Sequence, residues 1–96
     1  MKEKIQLKHP QGKKPIRMSK AKYDLLKPMV VQYFHAKGEA TFSEMTREIE
    51  KELKTKGQRF EGSLRWHLEW VKLDLEARKI IRRVAKTSPQ QYRIVR

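Results

Sequence analysis

Near residue 80 the apolar pattern changes from helical spacing to short runs of strand type, and this switch constrains the chain more than any other feature. Before it, apolar residues recur at intervals of three and four in three separate blocks. After it, Ile80-Ile81-Arg82-Arg83-Val84 and Gln91-Tyr92-Arg93-Ile94-Val95 read as two strands. Lys86-Thr87-Ser88-Pro89-Gln90 joins them as a hairpin loop. Helices packed against a C-terminal hairpin are the expected result.

In the first helical block Ser19 is the expected N-cap, its hydroxyl accepting from an amide of the first turn. Tyr23, Leu26, Val30, Tyr33 and Phe34 form an amphipathic stripe, and Gly38 supplies the stop. Pro28 predicts a kink, because it removes one backbone hydrogen bond and crowds the preceding turn. Glu39-Ala40-Thr41-Phe42 is too short for a helix and reads as a short strand or extended link. Ser43 is expected to cap a second helix that carries Met45, Ile49 and Leu53 at successive i+4 positions and ends at Gly57. The loop Gln58-Arg59-Phe60-Glu61-Gly62 then leads to a third helix from about Ser63 to Arg78.

Ahead of these blocks, Lys4-Ile5-Gln6-Leu7-Lys8 and Ile16-Arg17-Met18 alternate apolar and polar residues around His9-Pro10-Gln11-Gly12-Lys13-Lys14-Pro15. The prolines and the glycine mark a turn, and prolines beside a turn suit edge strands. Residues 1–18 thus read as a basic arm, a short hairpin in preference to a disordered tail, and residues 19–96 as the domain proper.

Ninety-six residues hold one small core, since a second would need roughly another hundred. No apolar run approaches the ~20 residues of a membrane span, and the first 20 residues lack the apolar stretch of a signal peptide. The absence of cysteine excludes disulfides, a thiolate nucleophile and a cysteine metal cage. A cytoplasmic protein without membrane contact is the expectation. Charge is the positive signal: the formal net charge is +13, the usual mark of a small domain that meets a polyanion. Residues 1–20 contribute +6, residues 21–80 only +2, and residues 81–96 contribute +5 with no acid among them. The two ends therefore dominate long-range attraction.

The order helix, short strand, helix, helix, strand, loop, strand is that of a winged helix-turn-helix, an α+β fold. The stretch from Val71 to Ile81 resembles the junction of recognition helix and wing strand in many winged-helix repressors, with Leu75-Glu76-Ala77-Arg78 followed by Ile80-Ile81. Lys79 stands where that junction usually has glycine. The whole chain is also similar to an uncharacterised bacterial family of small winged-helix proteins. It shares the turn His9-Pro10-Gln11-Gly12, Ala21-Lys22-Tyr23 opening the first helix, and Gly62 to Trp66 ahead of Val71 to Ala77. The resemblance implies the fold and a transcription-related role, and says little about activity.

On the third helix, Leu64, Leu68, Val71 and Leu75 lie within about 60° of one another and are expected to face the first two helices. Trp66, Trp70, Leu73 and Ala77 form a second stripe roughly opposite. Groove-reading helices normally show polar residues there. Three explanations compete. The wing and Ile5, Leu7, Ile16 and Met18 of the arm cover the stripe; Trp66, Trp70 and Leu73 form a dimer or partner surface; or the tryptophans stack on unpaired bases. One flank of the helix carries Arg65, Glu69, Lys72 and Glu76, spaced so that the acids pair with the bases in a solvated face.

Double-stranded DNA is the expected partner, with a homodimer, a protein partner and single-stranded nucleic acid or RNA as alternatives. Candidate contacts are Lys13 and Lys14 in the arm, Arg59, Ser63, Arg65 and Lys72 around the third helix, and Arg82, Arg83, Lys86 and Arg93 in the wing. Arg82 and Arg83 point to opposite faces of their strand. The wing loop adds Thr87, Ser88, Gln90 and Gln91 as donors for phosphate or the minor groove.

Catalysis has little to rest on. His9, His35 and His67 have no metal-ligand spacing with one another, and His67 and Asp74 lie about 10 Å apart along the helix. There is no glycine-rich phosphate loop. The chain reads as a non-enzymatic binding domain with no cofactor, no metal and no small-molecule substrate.

Overall fold

The computed structural model describes residues 3–14 and 16–95. Pro15, one of the prolines beside the arm's turn, and Lys2 and Arg96, counted among the end charges, lie outside the described residues. Among the described residues, five strands and three helices follow in the order β1 (Lys4–Gln6), β2 (Arg17–Ser19), α1 (Lys20–Lys37), β3 (Ala40–Thr41), α2 (Phe42–Thr55), α3 (Leu64–Ala77), β4 (Ile81–Arg83) and β5 (Gln91–Ile94). The result is a small α+β architecture with two antiparallel sheets.

Local chemistry explains most element ends. Ser19 caps α1 as expected, accepting from the Lys22 amide, and α1 runs through Pro28 to Gly38, whose N–H donates to the Phe34 carbonyl. The cap of α2 is Thr41, not Ser43. Thr41 accepts from the Glu44 amide, and the Glu44 carboxylate accepts in return from the Thr41 amide, a reciprocal capping box. Its T-x-x-E signature was present in Thr41-Phe42-Ser43-Glu44, and Ser43 stands one step inside the helix. The hydrogen bonds hold the Glu44 carboxyl below the usual carboxylate range.

Both α2 and α3 end with paired reverse hydrogen bonds. Gln58 N–H donates to Leu53 and Gly57 N–H to Lys54; Ile80 N–H donates to Leu75 and Lys79 N–H to Glu76. The left-handed position is glycine in the first case and Lys79, at φ 61°, in the second. The terminus expected of glycine is thus formed by a lysine, at a steric cost of about 1 kcal/mol.

The larger sheet has the order β3-β5-β4, with Ala40 opposite Tyr92, and Ile81, Arg82 and Arg83 opposite Ile94, Arg93 and Tyr92. Ile81 and Tyr92 point inward and are buried, so Arg82 and Arg93 share the outer face. The arm is a hairpin, with Ile5 opposite Met18. Its strands pack on α1. Leu7 and Met18 belong to the same buried cluster as Leu26, Phe34, Met45, Ile49, Leu68 and Leu75. On α3 the stripe Leu64, Leu68, Val71 and Leu75 faces this core as its spacing predicts. No described helix is long and apolar enough to cross a membrane.

Candidate nucleic-acid interface

One buried carboxylate fixes how the arm meets α3. Asp74 is fully buried and accepts from three groups: the Lys8 amide of the arm (2.8 Å), the Tyr23 hydroxyl of α1 and the Nε of Arg78 at the end of its own helix (2.9 Å). Burial and the bond to Asp74 push the Tyr23 hydroxyl well above its usual pKa, and Arg78 is raised by the same carboxylate. The arm's turn therefore lies on the C-terminal half of α3. Within it, the Gly12 N–H donates to the His9 carbonyl at 3.0 Å, and Gly12 takes the left-handed φ of 69°.

Two adjoining grooves result, sharing Pro10. The first, about 420 Å³, lies between the turn, including Lys13, and Ala77 of α3. The second, about 520 Å³, runs from Pro10 and Gln11 across Lys79 to Arg82, Arg83 and Val95. Arm and hairpin base thus converge at the end of α3, where the helix carbonyls favour positive charge. Lys79 was missing from the sequence expectations. Its signal was a lysine at a position whose backbone favours glycine.

The remaining expected contacts are scattered. Lys14 is exposed beside Lys13. Arg59 is exposed in the loop ahead of α3, Ser63 caps α3 by accepting from the Trp66 amide, and Arg65 lies over the Phe42 ring at 5.2 Å. These sit at the opposite end of the 14-residue helix from Lys79, about 20 Å away. Lys86 is exposed in the hairpin loop, where Thr87 and Gln90, expected as free donors, instead brace the Val84 carbonyl. Arg83 donates to Glu76 at 2.9 Å, and Arg93 reaches Glu39 at 3.4 Å.

Lys72 is turned inward, against expectation. It is 4% exposed, donates to the Tyr92 hydroxyl at 3.1 Å, pairs with Glu69 at 3.0 Å and lies over the rings of Tyr92 and Phe42. Burial works against its charge, but Tyr92 and Glu69 outweigh that and raise its pKa. Its position on the wheel faces the β-hairpin and not solvent, which the sequence could not reveal before the hairpin was placed.

Coverage of the tryptophan stripe is partial. His9 packs edge-on against Trp70 at 6.1 Å, Leu73 is half-buried, and Trp66 remains 46% exposed. Among the described residues no group of three metal-ligating side chains comes together.

Fold and grooves together define a small α+β protein with a basic, partly aromatic face built by its arm, its third helix and its C-terminal hairpin. The chain belongs to a family of unknown function (DUF6958), matched over residues 4–92. No curated protein and no solved structure matches it.

Proposed function

We propose that this is a winged-helix protein that binds duplex DNA, holding phosphates where the arm meets the base of the wing. The carrying observation is the convergence of Lys13, Lys79 and Arg82 around two adjoining grooves. The strand order β3-β5-β4 behind three helices supports the fold assignment. Two further features favour an anionic ligand. Arg82 stands opposite Arg93 on the outer sheet face, where Glu39 pairs with Arg93 at 3.4 Å and no described acid pairs with Arg82. Lys79 keeps a strained backbone that places an ammonium at the groove, and such strain concentrates at functional sites. A transcription-related role in the cytoplasm, at the nucleoid, is the setting this reading implies.

Fluorescence anisotropy of labelled random-sequence duplexes at about 50 mM and 200 mM salt tests it, because phosphate contacts weaken steeply over that range. The double variant Lys79→Ala/Arg82→Ala is expected to bind more weakly on every sequence, with the salt slope reduced by about two. An unchanged affinity and slope would remove this face from the interaction.

A further inference from the structure

We propose that the outer face of α3 is a stacking platform for unpaired bases, so that the nucleic acid held best carries a single-stranded segment. The inference rests on the polyanion reading above and adds the state of the strand.

Five aromatic rings form a continuous row along this face. Phe60 meets His67 at 5.0 Å between ring centroids, His67 meets Trp66 at 4.9 Å, Trp66 meets Trp70 at 6.4 Å, and Trp70 meets His9 at 6.1 Å. The row runs from the loop ahead of α3 to the turn of the arm. Its interplanar angles lie between 57° and 81°, so no pair is stacked face to face. Trp66, at its centre, is the most exposed large aromatic side chain of the described residues, at 46%.

The charges around the row choose the occupant. Cations stand at both ends of it: Lys22 lies over the Phe60 ring at 5.2 Å, and Lys8 and Lys13 line the groove at the His9 turn. The three acids of α3 are each matched by a cation of the same fold, Glu69 by Lys72, Asp74 by Arg78 and Glu76 by Arg83. Glu61 is an exposed acid near the Phe60 end, and its carbonyl holds the Lys22 ammonium at 2.8 Å. Lysine is depleted in protein–protein interfaces, whereas a row of aromatic rings with cations at both ends suits a strand whose phosphates and bases both need partners. Duplex DNA hides its base faces, so an open Trp66 ring gains nothing from it. An unpaired base of any sequence offers a face to stack.

The test compares labelled oligo-dT and oligo-rU of about twelve nucleotides with a blunt duplex, using wild type, Trp66→Ala and Trp66→Phe. Light scattering is run alongside. Stacking of a single base predicts that Trp66→Ala loses about tenfold or more in single-strand affinity while duplex affinity stays within about twofold. Trp66→Phe is expected to recover most of the loss, and wild-type tryptophan fluorescence to be quenched by the single strand. Whether dT or rU binds more tightly then assigns DNA or RNA. Single-strand binding indifferent to Trp66→Ala, an equal loss on both ligands, or a wild-type dimer dissociated by Trp66→Ala would each overturn the platform and leave the duplex reading standing. Failure of every nucleic acid to bind at 50 mM salt would overturn both.

Discussion

Lys79 carries a conflict between backbone and charge. A residue with a Cβ at φ 61° costs about 1 kcal/mol relative to glycine, and the paired reverse hydrogen bonds at the end of α3 hold it there. Lys79→Gly is therefore expected to raise stability by about 1 kcal/mol in urea unfolding while weakening duplex binding. A stability gain without loss of affinity would show that the ammonium serves no ligand. Tyr23 makes a second residue-scale prediction. Its folded pKa is raised by burial and by its bond to Asp74, so above about pH 10 the unfolded chain gives up the hydroxyl proton first. Stability contributed by the neutral hydroxyl is complete below that pH and falls as pH rises toward the folded value. Urea unfolding at pH 9 and pH 11 is expected to show a steeper decline for wild type than for Tyr23→Phe.

The α2 N-terminus shows how much of an element's boundary is written locally. Both Thr41 and Ser43 are capping residue types, and only the glutamate three positions after Thr41 separates them. Thr41→Ala should cost about 1 kcal/mol at pH 7, whereas Ser43→Ala should leave the midpoint almost unmoved. The Glu44 arm of the box has a lowered pKa, so its contribution is present above the ordinary glutamate value and disappears as pH falls below it. Wild type is accordingly expected to lose more stability between pH 7 and pH 3 than Glu44→Gln, whose amide oxygen accepts from the Thr41 amide at both. Elements were largely legible for this reason: caps, helix stops and the change of period near residue 80 are all local signals. The two flanks of α3 were not. Lys72 and Asp74 looked like surface residues because their wheel positions lie outside the apolar stripe, yet the hairpin covers one and the arm covers the other.

At the scale of the whole molecule, the arm is part of the core. Leu7 is fully buried and Met18 nearly so, in one cluster with residues of all three helices. Leu7→Ala is expected to cost about 2–5 kcal/mol in a single cooperative transition. A small loss would mean that the arm detaches without disturbing the helices. The same packing explains why Lys13 and Arg82, far apart in sequence, line adjoining grooves: the hairpin arm folds back along α1, and its turn reaches the end of α3 beside β4. Basic arm and basic C-terminal hairpin were each legible as charge runs. Their meeting was not, because Asp74 joins Lys8, Tyr23 and Arg78 through contacts spanning up to 66 residues of chain.

What the amino-acid sequence determined by itself was everything set by neighbours: the order of elements, most of their ends, the inward stripe of α3 and the excess of positive charge. Tertiary structure alone decided which charges are free. Glu76 holds Arg83, Glu69 and Tyr92 hold Lys72, and Glu39 holds Arg93, while Lys13, Lys79 and Arg82 line the grooves. Charge acts through space, and a chain reveals its charges in order long before it reveals their distances.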